Sequence, residues 1–402
     1  MADVAKPAQP GVRLTWLDSM KGISILWIAF FHFYTSYTDK KYPDPLGPQY
    51  FSKFLDQCTS AADSSTLGCY AHGLYVAISS VGFHAVAVFL VLSGFGLTYS
   101  LAKTGQPEDG WLGWYRGRLL RLFPMYWLAH IIYLISPFVA RFEPVDYRFI
   151  LSFLGDRIYP VDMIFFYINP AWWYFGLLVE LYLVFPFLFR LLQKLGPTWF
   201  LVVCGAVTVI SRYLLLLVLS AHGYYVQGAF FGARLWEFAL GMVLGLLYRR
   251  SPNEADHRLF SFPAIASGFA LYVLGLYSYA NSTTYILNDA LIGTGLFVIL
   301  AHIARWCDLL PRLGGTLAYV GAFSYGLYLL HQPYVIYFAI RMREMNEWLF
   351  SLFALVIIAI ITCLAIPLER YVNQLTSRVL DRKKVSLQPS AVGYQPKLET
   401  KS

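Results

Sequence analysis

Apolar runs long enough to cross a bilayer as helices recur along this 402-residue chain from Trp16 to Leu368. About 20 residues at a ~1.5 Å rise cover the ~30 Å of a hydrocarbon core. No water is present there to satisfy backbone N–H and C=O groups, so each crossing must be a helix or part of a closed barrel, and runs of this length select the helix. The expected fold is therefore all-α, a polytopic membrane bundle of about ten transmembrane helices at 16–37, 74–97, 119–138, 172–192, 199–219, 230–247, 262–279, 285–303, 317–338 and 348–368. Only 13% of residues are charged, about half the ~25% of soluble domains, which excludes a string of water-soluble domains. A net charge of +8 does not point to nucleic acid, because the basic residues sit at the ends of apolar runs as topology determinants rather than on a polar domain.

With the N-terminus inside, the inner face collects most of the lysines and arginines, among them Lys6, Arg13, Lys103, Arg249, Arg250, Arg370 and Arg378. That asymmetry places both termini in the cytoplasm and requires an even number of crossings. Met1 to Val12 lacks the pattern of a cleavable signal, so the first run is expected to be retained. Residues 1–380 then form one membrane domain, and 381–402, polar and without apolar periodicity, a disordered cytoplasmic tail. Two outer loops are long, Thr38 to Gly73 and Val139 to Ala171; within the second, 149–154 and 163–168 are expected to lie at the interface or re-enter. Cys58 and Cys69 share the first loop, where a disulfide and two separate thiols are both open readings.

Few residues inside the spans can do chemistry. Lys21 and His32 are eleven positions apart in the first helix, nearly three turns, so they share a face and differ in depth by about 16 Å. His331 in the ninth span is expected at the depth of His32, which makes the pair a sharper signal than either ring alone. A hydrogen-bonded packing histidine is the competing reading, since an ionisable group at that depth must face a partner or a cavity. Glu180, about 12 Å into the fourth span, must also turn inward. It has two readings, a catalytic partner or a structural ion pair with Arg212 or Arg234. Arg116 and Arg118 precede the third span and Arg121 lies in its first turn. Grouped guanidiniums suit bidentate phosphate binding, and equally a positive-inside anchor. The glycines of Leu92-Ser93-Gly94-Phe95-Gly96-Leu97 lack phosphate-loop context and are expected to serve close helix packing. No zinc spacing, nucleophile elbow or dinucleotide fingerprint occurs, and no metal is expected.

Taken in order, several segments resemble the membrane acyltransferase-3 family, which modifies surface polysaccharides, peptidoglycan and other glycans. They are Leu17-Asp18-Ser19-Met20-Lys21-Gly22 with His32, Phe89 to Phe95, Arg116 to Tyr126, Trp173 to Pro186 with Glu180, and Ser324 to His331. The family usually carries arginine eleven residues before the first-helix histidine. Lys21 keeps the charge here but not the planar fork. The resemblance implies an acyl-CoA-dependent O-acyltransferase of a bacterial inner membrane, with acetyl-CoA the expected donor, succinyl the alternative acyl group, and a glycan or glycolipid as acceptor. It implies His32 as the catalytic residue; the chemistry of the ring then makes it a general base, with Glu180 or His331 to orient it or to stabilise the imidazolium. Lys21, Arg116, Arg118 and Arg121 would line the acyl-CoA side, and Trp173, Ser324 and Tyr328 would contact substrate. An acyl-histidine intermediate is a variant of the same scheme. The reading from a different class is a carrier or flippase for an amphiphilic glycan or lipid. Inverted repeats would mark it, and none is evident.

Overall fold

The computed structural model describes residues 14–47, 49–60, 65–141, 143–221 and 223–387, and all regular structure among them is helical. Lys6, Arg13 and residues 388–402 of the expected tail lie outside the described residues. The helices are α1 (Thr15–Thr38), α2 (Tyr50–Ser60), α3 (Thr66–Ser80), α4 (Ala85–Leu101), α5 (Gly110–Ile135), α6 (Tyr147–Phe153), α7 (Val161–Ile164) and α8 (Trp173–Tyr213), then α9 (Leu235–Arg250), α10 (Pro252–Leu259), α11 (Phe262–Tyr277), α12 (Asn288–Asp308), α13 (Pro311–Ala322), α14 (Ser324–Arg341) and α15 (Glu347–Leu387).

Among the described residues, seven helical stretches are long and apolar enough to cross a membrane, or eight if α13 and α14 count as one span bent by 80°. The expected count of ten exceeds this for two physical reasons. Helix α1, which carries Asp18, Lys21 and His32 inside its length, falls outside the seven. The second reason is that Pro170–Val218 counts as one stretch although α8 is broken at Gly196, with φ 76° and ψ 168°. Only glycine adopts that left-handed backbone without a Cβ penalty. Trp173 packs on Gly228 and Ser211 on Gly232, so residues far apart on α8 meet neighbouring points of one loop, and the chain doubles back at Gly196. The two segments expected at the interface form the short helices α6 and α7.

The outer surface of the bundle is apolar. On α15, Leu352, Leu355, Val356, Ile360 and Leu364 are all exposed. In water each large apolar side chain left exposed forgoes about 1.5–3 kcal/mol of burial; a surface facing lipid incurs no such loss. Inside, helices approach through glycine, as expected for a membrane bundle without a hydrophobic drive between helices. A Cβ on Gly94 would lie 2.1 Å from Phe238 O of α9, and one on Gly241 would lie 1.9 Å from Val91 O of α4. Helices α1 and α13 meet in the same way, Gly321 against Asp18 O and Gly22 against Leu317 O.

At the far end of α1, Tyr34 and Tyr42 donate to the Glu347 carboxylate at the start of α15, and His72 Nε2 lies 3.0 Å from it. Cys58 and Cys69 are disulfide-bonded, which settles the open pairing, and Cys204, Cys307 and Cys363 are free. This knot ties α2 and α3 over the bundle.

Candidate active site

A cavity of about 420 Å³ runs through the bundle, lined along α1 by Lys21, Ile28 and His32. Its wall takes Leu92, Ser93, Gly96 and Leu97 from α4, Arg118, Arg121 and Leu122 from α5, and Trp173, Tyr174, Leu178 and Tyr182 from α8. The break between α13 and α14 supplies Gly321, Ala322, Ser324, Tyr325 and Tyr328. A broken helix at membrane depth is tolerated where it lines a cavity, and a single straight ninth span, as expected from the sequence, would not present both helix ends to it. A second cavity of about 610 Å³ shares Ser100, Arg118 and Arg121 with the first. It is lined further by Thr104, Asp109, Trp114, Asn373, Thr376 and Ser377. The last three are spaced i, i+3, i+4, so one polar face of α15, beyond its apolar run, looks into this vestibule.

The two guanidiniums stand where the cavities join. Arg118 and Arg121 lie three apart within α5, which begins at Gly110 rather than at the expected 119, so they share a face in the third and fourth turns. Arg118 also sits 5.5 Å above the Trp114 ring. Arg116 lines neither cavity, because its position, two residues from Arg118, turns it about 200° around the helix. Lys21 lines the first cavity and pairs with Asp18 at 3.0 Å.

At the other end, the His32 and His331 rings are 5.4 Å apart, which brings together the two histidines expected at one depth. His32 Nδ1 accepts from Gln332 Nε2 at 3.1 Å. His331 is fully buried behind it, with Nδ1 donating to Leu327 O at 3.1 Å and Tyr328 O at 2.9 Å. Around them the segment before α8 is clamped to α14. Asn169 and the Trp172 indole both donate to Leu329 O, while Tyr328 donates to Ala171 O at 2.5 Å and accepts from Phe175 N. Tyr328 thus lines the cavity with its ring while its hydroxyl holds the wall. Trp173 and Ser324, the other two residues named from the sequence as substrate contacts, also line the cavity.

Glu180 is not brought to His32. Leu178 and Tyr182 face the cavity, and Glu180, two residues from each, points about 200° away. Its Oε2 accepts from Phe231 N at 2.8 Å. The ion pairs weighed for it are also taken up elsewhere: Arg212 bonds Asp289 at 2.5 Å, and Arg234 bonds Glu237 at 2.8 Å. The carboxylate that does line the cavity is Glu369 of α15, which accepts from Gly326 N at 2.7 Å and so satisfies one of the orphan donors at the start of α14. His84 and His130 are packing residues, hydrogen-bonded to Tyr272 and Ser152 respectively.

Comparison with known families matches residues 14–370 to the acyltransferase domain of the acyltransferase-3 family. The chain belongs to this family and is a membrane acyltransferase. No curated protein and no solved structure matches it.

Proposed function

We propose that the protein is an O-acyltransferase of a bacterial inner membrane that takes an acyl group, acetyl by expectation and succinyl as the alternative, from cytoplasmic acyl-CoA to a hydroxyl of an extracytoplasmic glycan or glycolipid. The observation that carries the reading is the continuous cavity with Arg118 and Arg121 at one end and His32 at the other. A pantetheine arm has about twelve bonds between phosphate and sulfur, equal to roughly four residues of extended chain, or ~14 Å. Lys21 and His32 are about 16 Å apart along α1. On this reading the donor's phosphates rest on Arg118 and Arg121, which line the cavity together with Lys21, its thioester reaches toward His32, and its nucleotide sits in the vestibule beside Trp114 and Asn373. Guanidiniums hold phosphate oxygens by paired, charge-assisted hydrogen bonds.

In this scheme the acceptor hydroxyl oxygen attacks the thioester carbonyl carbon as neutral His32 takes its proton, the C–S bond breaks, and the imidazolium returns the proton to the leaving thiolate. The topology we propose has ten crossings and cytoplasmic termini, obtained by counting α1, the bent α13–α14 pair and both arms of α8 about Gly196.

Sealed proteoliposomes with the protein in one orientation test the reading. Acyl-CoA on the face bearing Arg118 should acylate an acceptor on the other face and release one free thiol per acyl group moved. A protein that moves an amphiphile across and releases no thiol is a carrier, and the proposal fails.

A further inference from the structure

Ala171 N–H lies 2.5 Å from Gln332 Oε1. A backbone N–H can only donate, so the atom it meets must be the amide oxygen, and this fixes the direction of the Gln332 carboxamide. The NH₂ end then faces His32 Nδ1 at 3.1 Å. It too can only donate, so Nδ1 presents a lone pair and the neutral ring carries its proton on Nε2. The neighbouring ring is fixed the other way. His331 Nδ1 meets two carbonyl oxygens and must hold the proton, while its buried Nε2 has no hydrogen-bond partner among the described residues. Two histidines 5.4 Å apart are thus held as opposite tautomers.

We propose that Gln332 is a positioning residue that holds neutral His32 in the Nε2–H form, makes Nδ1 the nitrogen that receives the acceptor's proton, and covers that nitrogen until the acceptor arrives. The proposal rests on the acyltransfer reading above. The acceptor O–H replaces the Gln332 N–H at Nδ1. Its proton moves to Nδ1 as its oxygen bonds to the acyl carbon, the C–S bond breaks, and the same proton passes from Nδ1 to the thiolate. The ring ends as it began, with Nε2–H, and Gln332 closes over Nδ1 again. Covering the base also withholds it from water, which would otherwise hydrolyse the donor. Gln332 is suited to the task because the residue is 5% exposed and its amide oxygen is anchored on a segment that Asn169, Trp172 and Tyr328 bind to α14. A side chain locked by such a surrounding shell fixes the geometry of the ring it touches.

The test is the ¹⁵N spectrum of histidine-labelled protein in lipid bilayers, with the His32 signals assigned by their loss in His32→Ala. The parent should show a neutral Nε2–H ring at His32. In Gln332→Glu, a group that only accepts faces Nδ1, and the ring should become Nδ1–H or doubly protonated; in Gln332→Leu the preference should be lost. In parallel, Gln332→Leu should lower kcat for transfer by about tenfold or more, leave the donor KM unchanged, and raise the ratio of acyl-CoA hydrolysis to transfer. A parent that transfers acyl groups but shows Nδ1–H at His32 overturns the proposal alone, whatever the variants do. A parent that shows Nε2–H but transfers nothing from any acyl-CoA sinks the acyltransfer reading, and the catalytic role of Gln332 with it.

Discussion

Gly94 and Gly96 are two residues apart on α4, yet their replacement should have opposite consequences. A Cβ at Gly96 meets nothing within 4 Å, and the residue lines the cavity. Gly96→Leu adds four carbons, each taking about the room of a water, ~30 Å³, so the side chain fills roughly 120 Å³. That removes more than a quarter of a cavity of about 420 Å³. Overpacking costs about 1–3 kcal/mol. Here it falls on the bound donor rather than on the fold, so donor affinity should drop about 5- to 150-fold. The assay is the initial rate of transfer from labelled acyl-CoA over a range of donor concentrations, normalised to correctly inserted protein. Gly96→Ala should behave as the parent. Gly94→Ala should lose folded protein, because its Cβ would lie 2.1 Å from Phe238 O, a backbone atom that cannot swing aside. A folded Gly96→Leu protein with the parental donor KM and rate would mean that this cavity is not the donor's route.

Three further outcomes follow from the same geometry. Arg118→Gln and Arg121→Gln should each raise the donor KM about tenfold or more, the size of a lost hydrogen bond to a charged group at ~1.5–3 kcal/mol, and more steeply at low salt; Arg116→Gln should not, and an equal effect of all three in donor titrations would return the group to a general anchor. Glu180→Gln keeps an acceptor for Phe231 N and stands off the cavity, so its transfer rate should remain within about twofold of the parent, inside the ~0.5 kcal/mol typical of changes away from such features; a larger fall in properly inserted protein would put Glu180 back in the site. The Cys58–Cys69 bridge closes an eleven-residue separation, worth ~3 kcal/mol by loop entropy, so Cys58→Ser with Cys69→Ser should lower the thermal midpoint while leaving the donor KM unchanged, and a membrane-impermeant thiol reagent should reach these positions in the parent only after reduction; labelling without reduction would refute the bridge.

The convergence of His32 and His331 was legible because helix rise converts sequence position into depth, and two titratable rings at one depth are rare in a membrane domain. The break at Gly196 was also visible, as Leu195-Gly196-Pro197 between two apolar runs. What sequence could not supply was rotation. Glu180 and Leu178 are equally plausible inward residues until the neighbouring helices are in place, and the same holds for Arg116 against Arg118. Glu369 escapes a reading from sequence because the apolar run of the last span stops at Leu368, one residue short of the carboxylate; a lone acid at the end of the most apolar run is the available signal. Gln332, adjacent to His331, carried no signal of its own, since an uncharged amide gains its meaning only from Ala171 on one side and His32 on the other. The bend between α13 and α14 was hidden by unbroken apolar character through Phe323, with no proline there to mark it, and with Gly321 and Gly326 on either side readable as glycines of close helix packing.

The most direct test of the account is acyl transfer by purified protein in bilayers, comparing the parent with His32→Ala at matched insertion. One ring among this many helices contributes little to folding, so the variant should insert and melt as the parent does. Its transfer of label from acyl-CoA to acceptor, with the accompanying free thiol, should fall by about a hundredfold or more, the lower range for loss of a general base. His331→Ala, measured beside it, should lose less if it only orients the pair, and as much if the two rings act as a unit. A His32→Ala protein that transfers acyl groups at near the parental rate over the same pH range would contradict the account.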